Sequence, residues 1–202
     1  MSEMALRREL VDCISQFSTR GWVPATSSNF SARLSSDCLL VSRSGVDKAG
    51  FEAQDLIAVD LDGTVVQPAG ARSSAETLIH CALYKHHPEV SCVLHTHSVH
   101  GAVMSRRFAA IGMIEFTGYE IQKALSGISS HLSTVSLPIV PNSQDMKQLT
   151  ERLQLGSSEY RHGFLIEGHG LYTWGKDVAS AKRAVEAFEF LLECSMLEGK
   201  GI

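Results

Sequence analysis

Nine histidines are spread along 202 residues, and two of them, His95 and His97, flank a single threonine. The run Val90 to Thr96 is apolar and reads as a buried strand, in which residues i and i+2 face the same side. On that geometry two imidazoles can grip one metal ion. His169 offers a third, held between Gly168 and Gly170 at a turn between two expected strands. Three imidazoles that leave a coordination position for water or substrate suit catalytic zinc. Spacing alone supports equally well a set of surface or core histidines, since a His-x-His pair arises readily by chance.

The carboxylates and small polar turns carry two readings each. Glu76 stands one turn into the segment Arg72-Ser73-Ser74-Ala75-Glu76-Thr77, where it can approach a metal on the neighbouring strand. Ser73 and Glu76 also fit the S-x-x-E capping box, which is the preferred reading of the pattern alone. Ser73 and Ser74 at a helix start can hold a phosphate through hydroxyls, free amides and the helix dipole, or serve only as caps. Thr26-Ser27-Ser28-Asn29 and Ser42-Arg43-Ser44-Gly45 each flank an expected strand and can present amides to an anion. Taken singly, both read more readily as ordinary loops. Glu120 is a lone carboxylate after the strand-like run Ala109 to Phe116, and by itself it reads as a solvated surface residue.

Several elements must position these groups. Leu6, Leu10, Ile14 and Phe17 recur at helical spacing and Gly21 follows the helix end. A meander of short strands follows over Phe30 to Leu34, Leu39 to Ser42, Leu56 to Asp60 and Thr64 to Gln67, the last pair joined across Asp62-Gly63. From Ser74 the period turns helical through Leu78, Ile79, Ala82 and Leu83 before the histidine strand. Thr134 to Val140 reads as a strand, Asp145 to Leu155 as a helix, and Phe164 to Glu167 and Leu171 to Trp174 as strands about the Gly-His-Gly turn. A final helix carries the stripe Ala181, Ala184, Val185, Phe188, Leu191 and Leu192, capped by Asp177 and ended by Gly199. Helices interleave with strands without a strict βαβ rhythm, which predicts a layered α/β domain with a mixed sheet.

Composition sets outer limits. With 44% hydrophobic residues, 202 residues suffice for one domain, 1–202, with a full core. Eighteen basic against 22 acidic residues give a formal charge of −4, so no global field favours nucleic acid and any phosphate recognition must be local. The charged start MSEMALRRELVDC and the lack of a long apolar run predict a soluble, unexported protein with no membrane partner. Five cysteines without a CxxC pair sit among apolar neighbours and fit a reducing cytoplasm.

From about Leu6 to Leu197 these segments, in this order, resemble the class II aldolase and adducin family. The likeness rests on TSSNFS, SRSGVDK, SSAET, HTHS and GHGLYTWG. It implies a three-layer α/β/α class II aldolase-like domain around a mixed, largely antiparallel sheet, and one zinc per subunit on His95, His97 and His169. It also implies Glu120 as catalytic acid/base, with Glu76 at the position the aldolases use as metal ligand or base. Thr26, Ser28, Asn29, Ser44, Gly45, Ser73 and Ser74 would surround the substrate phosphate, Ser28 standing where aldolases commonly have glycine. GYEIQKALSGISSH, PIVPNSQDM and EAFEFLLEC are similar to the family's dehydratase branch. The implied reaction is zinc-dependent dehydration of 5-methylthio-D-ribulose 1-phosphate in methionine salvage, by a cytoplasmic homotetramer with active sites near subunit contacts. A sugar-phosphate aldolase or pentulose-phosphate 4-epimerase is the nearest alternative. A non-catalytic module of the adducin-head kind is the alternative of another class, disfavoured by retention of all three histidines.

Overall fold

The computed structural model of the chain describes residues 2–199. Its strands are β1 (Phe30–Arg33), β2 (Cys38–Ser42), β3 (Leu56–Asp60), β4 (Val65–Gln67), β5 (Cys92–Thr96), β6 (Met113–Phe116), β7 (Val135–Val140), β8 (Gly163–Ile166) and β9 (Gly170–Gly175). They form a nine-stranded sheet in the order β4-β3-β2-β1-β5-β9-β8-β7-β6. Every pairing is antiparallel except β7 with β8, so the sheet is mixed and largely antiparallel as expected.

Local chemistry accounts for the turns and helix ends. Asp60 Oδ1 accepts from the amides of Asp62 and Thr64, at 2.9 and 2.8 Å, and Gly63 takes φ +82°, which closes the β3–β4 turn. The helices are α1 (Glu3–Thr19), α2 (Thr77–His86), α3 (Val99–Arg107), α4 (Met146–Arg152) and α5 (Val178–Leu197). Asp177 caps α5 by accepting from Ser180 N at 2.6 Å, and the Ser180 hydroxyl returns a bond from Asp177 N at 3.2 Å.

Side-chain alternation along β5 divides the core. Cys92 and Leu94 pack with Leu10, Ile14 and Phe17 of α1 and Val185 of α5. Val93 faces the other way, toward Ile79, Leu83 and Tyr84 of α2 and Leu149 of α4. A third cluster joins β6, β7 and β8 to α5 through Phe116, Leu137, Leu165 and Phe188. Helices therefore cover both faces of the sheet, the three-layer α/β/α architecture.

Two sequence expectations need correction. Ala109 to Phe116 is not one strand: only Met113–Phe116 is extended, and the residues before it form the turn leaving α3. Helix α3 itself was not anticipated, because Val99–Arg107 buries only Gly101, Met104 and Ser105 and so lacks an apolar stripe.

Phe188 is fully buried and its ring lies 6.3 Å from that of Phe116. Phe188→Ala is expected to destabilise the fold by about 3–5 kcal/mol, read as a lower urea midpoint. An unchanged midpoint would contradict this account of how α5 is anchored.

Candidate metal centre and active site

The alternation that sends Leu94 toward α5 sends His95 toward α2, and His97, just past the strand end, follows it. Opposite, β9 pairs Tyr172 with His95 and Leu171 with Thr96. The Tyr172 ring stacks on His95 at 4.0 Å and 14°. Gly170 is required beside Thr96, since a Cβ there would lie 2.0 Å from the Thr96 carbonyl oxygen and 3.0 Å from His95 Cε1. Preceding it, Gly168 takes φ +60° and turns His169 back over the same strand end. The three imidazoles meet with ring centroids 4.5 to 5.0 Å apart.

The tautomer of His95 follows from its surroundings. Nδ1 lies 2.9 Å from the Leu171 carbonyl, which only accepts, so Nδ1 carries the proton and Nε2 turns a lone pair into the cluster. There Nε2 is 2.7 Å from His97 Nε2 and 3.8 Å from Glu76 Oε2, while His169 Nε2 is 2.9 Å from Glu76 Oε1. The donor atoms of Glu76, His95, His97 and His169 all lie within 4.8 Å of one another. A tetrahedral zinc with bonds of about 2 Å sets its ligands about 3.3 Å apart. Three imidazoles and a carboxylate at these spacings therefore fit a divalent ion.

Burial, and secondarily the charge of His169, brings the His97 imidazole down to about 4. Burial likewise holds fully buried His95 well below the usual imidazole range. Both rings are thus neutral near pH 7, the form that ligates metal. Burial pushes the Glu76 carboxyl up, but the hydrogen bond from His169 and the neighbouring imidazole charges outweigh it and bring it down to about 2.

Glu76 does not form the capping box anticipated with Ser73. Helix α2 starts at Thr77, and Glu76 occupies the N-cap position without a side-chain cap bond. Its Oε2 accepts instead from Asn29 Nδ2, whose amide partner Oδ1 meets His80 Nε2. His80 Nδ1 contacts Ser31 Oγ at 2.7 Å, and Ser31 Oγ contacts Tyr84 OH at 2.9 Å. Because the terminal carboxylate can only accept, Asn29 Nδ2 donates to Glu76 and His80 Nε2 donates to Asn29 Oδ1; with His80 neutral, its Nδ1 accepts from Ser31 Oγ, which in turn accepts from Tyr84 OH. Burial brings His80 down to about 4, in agreement. The only sequence sign of this chain is that Glu76 and His80 stand four apart, one turn along the same helical face.

A cavity of about 300 Å³ opens over the cluster, lined by Glu76, His97 and His169 together with Thr26, Ser28, Asn29, Ser44, Gly45 and Ser74. Ser73 instead lines an adjoining groove. Asn29 reaches the cavity with its side-chain amide already engaged by Glu76 and His80. The buried hydroxyls of Ser27 and Ser28 have no partner among the described residues. The Thr26–Ser28 turn is strained, with φ +61° at Thr26 and +70° at Ser28, so Ser28 holds the left-handed conformation for which glycine is ordinarily used. Glu120 is not brought to this cavity by its own chain. It is exposed, pairs with Lys123 and lies 3.1 Å from His131, and the Lys123 hydrogen bond holds its carboxyl below the usual range.

Glu189, on α5, was also missed. It is buried beneath the histidine segment and accepts from Thr96 Oγ1 at 2.8 Å, tying α5 to β5 between the two histidines.

The family model for the class II aldolase and adducin N-terminal domain matches residues 8–196. The chain belongs to that family. Among its curated relatives, the methylthioribulose-1-phosphate dehydratase of Sorangium cellulosum is 47% identical over 193 residues, 95% of this chain and 91% of that protein. The protein of the same name from Picosynechococcus is 45% identical over 192 residues, 94% and 91% of the two chains. Among solved structures, YgbL of Klebsiella pneumoniae superposes with TM-score 0.81 at 23% identity, covering 99% of this chain and 92% of that one. L-fuculose-1-phosphate aldolase of Thermus thermophilus gives 0.78 at 19%, covering 98% and 96%. The last two establish a shared class II aldolase fold.

In this member of the family the buried network has a pH signature. The folded pKa of His80, about 4, lies below its ordinary 6.5, so its contribution to stability is complete above about pH 6.5 and is lost as pH falls toward 4. Glu76, depressed from 4.5 to about 2, adds a second loss as pH falls from about 4.5 toward 2. The urea midpoint of the metal-free protein is expected to fall between about pH 7 and about pH 5. Equal midpoints would show that His80 is not held neutral by the fold.

Proposed function

We propose that this chain, as one catalytic domain, removes water from 5-methylthio-D-ribulose 1-phosphate to give 5-methylthio-2,3-dioxopentyl phosphate, a step of methionine salvage in the cytoplasm. One observation carries the reading: three members of a four-donor metal cluster, Glu76, His97 and His169, line the same cavity as Ser27 and Ser28, whose hydroxyls have no partner among the described residues. The curated relatives at 44–47% identity over most of the chain narrow it to the dehydratase. Among the described residues no helix is long and apolar enough to cross a membrane, and the described cysteines are free, as suits a reducing compartment.

His95, His97 and His169 would hold the metal, which we assign as zinc, one per subunit. Bound there, it would supply Lewis acidity to the ketose and so make the C3 proton more acidic. Thr26, Ser28, Asn29, Ser44, Gly45 and Ser74 bind and orient the phosphate end, with Ser73 at the adjoining groove. Asn29, its side chain committed to Glu76, contributes through its backbone. Glu76 stays anionic beside the three imidazoles. Glu120 takes the C3 proton and returns it to the C4 hydroxyl. The C3–H and C4–O bonds break, a C3=C4 enol forms, water leaves, and tautomerisation yields the diketone.

Because its own chain leaves Glu120 outside the cavity, we assign it to the site of a neighbouring copy in a homotetramer. Retention of all four metal-capable donors speaks against a non-catalytic module.

The deciding experiment supplies the metal-analysed protein with 5-methylthioribulose 1-phosphate and follows products. Diketone is the expected outcome; aldol cleavage fragments or a C4 epimer would overturn the dehydratase reading. Glu120→Gln is expected to keep its metal and lose about 10²- to 10⁴-fold in turnover, whereas His97→Ala loses both. Co-assembling those two inactive variants should restore about a quarter of wild-type activity by random pairing across a shared contact. A mixture as inactive as its parents would sink the assignment of Glu120 to a neighbour's site.

A further inference from the structure

Lys48 follows Ser44-Gly45 by one short turn and lines the cavity that holds the metal cluster. Its side chain is buried, with the residue only 2% exposed. The ammonium donates to the Val46 carbonyl at 2.9 Å and lies 5.5 Å from the centre of the Phe51 ring. Neither contact supplies a negative charge.

Nearby carboxylates are committed elsewhere. Asp47 accepts from Ala49 N at 3.1 Å, and Asp55 is held by Arg43 at 2.9 Å and by Glu52 N at 3.1 Å. Among the described residues no carboxylate lies within 4.0 Å of the Lys48 ammonium. A buried charge is retained only when something pairs with it. Burial lowers the pKa of Lys48, and the charges of Asp47 and Asp55, neither of them within ion-pair distance, only partly oppose it. Arg43 lines the same cavity but is exposed and already paired with Asp55. Lys48 is thus a buried cation with no carboxylate in ion-pair reach among the described residues, and it lines the same cavity as Ser27 and Ser28, whose hydroxyls have no partner among those residues.

We propose that Lys48 is the charge partner of the substrate's phosphate, its ammonium meeting oxygens that the Thr26–Ser28 and Ser44-Gly45 turns hold in place. The assignment rests on the phosphorylated-ketose reading above. It makes Lys48 a specificity residue, because a ketose without a phosphate would leave the ammonium buried and unpaired.

The test compares metal-loaded wild type, Lys48→Met and Lys48→Arg. Inorganic phosphate is titrated and followed by phosphorus NMR, kcat/KM is measured on the phosphorylated ketose, and metal content is determined for each protein. Lys48→Met is expected to keep its metal and to lose about ten- to a hundredfold in both phosphate affinity and kcat/KM, with Lys48→Arg recovering part of each. Wild-type phosphate affinity in Lys48→Met would overturn the proposal, as would loss of metal in both variants, which would mark a structural role. If wild type itself takes up no phosphate, the phosphoester reading of the cavity falls and this inference falls with it. Phosphate uptake by wild type and Lys48→Met alike would remove only the role of Lys48.

Discussion

The hydrogen bond from His95 Nδ1 to the Leu171 carbonyl, 2.9 Å long, is the contact on which the rest of the site depends. It exists because β5 and β9 pair in a single register, Thr96 opposite Leu171 and His95 opposite Tyr172. A slip of one residue would reverse both faces of β5, sending His95 toward α5 and Thr96 toward α2. Two features oppose that slip. Gly170 leaves room for the Thr96 carbonyl, and Thr96 is bound from the opposite face by Glu189. The geometry of the histidines is therefore held by backbone pairing and by a helix that never touches the cavity.

The same burial that positions the histidines also sets their charge. Desolvation keeps His95, His97 and His80 neutral, so the cluster offers lone pairs rather than mutual repulsion. Glu76 keeps its negative charge because Asn29 and His169 both donate to it. The chain Tyr84-Ser31-His80-Asn29 then acts as a set of aligned dipoles running from the core to that carboxylate, and it orients Glu76 without adding a second charge. Lys48, which lines the same cavity, has no comparable set of partners among the described residues.

How much of this was legible in the sequence depended on whether a feature is local. Strand alternation placed His95 and His97 on one face, and the glycines around His169 marked the turn that returns it. The layered mixed sheet followed from the order of strand and helix periods. Glu76 was ambiguous because S-x-x-E describes a cap as well as a ligand, and only tertiary packing decides which way the carboxylate turns. Helix α3 escaped because it packs through glycine, methionine and serine rather than an apolar stripe. The burial of Lys48 and His80 was illegible for a common reason: their types predict exposure, and distant segments cover them, α1 against the turn of Lys48 and the Asn29–Ser31 segment against α2.

Glu120 raises the question of why an acid/base group would stand outside the cavity that its own chain builds. Glu76 is a poor base where it sits: burial pushes it up, but the hydrogen bond from His169 and the neighbouring imidazole charges outweigh that and bring it down to about 2, far from the pH at which it would have to accept a proton. A working base needs a carboxylate less completely satisfied and partly withdrawn from water, so that its proton affinity rises. Exposed on its own chain and bound to Lys123, Glu120 has the opposite environment. Covering it with a second copy changes both conditions at once, excluding solvent and moving the carboxylate against a metal site that its own fold cannot reach. On that view assembly does more than complete the site by geometry. Exclusion of solvent would raise the proton affinity of Glu120 only where a substrate cavity faces it, and the separated chain would keep the donor cluster without that base.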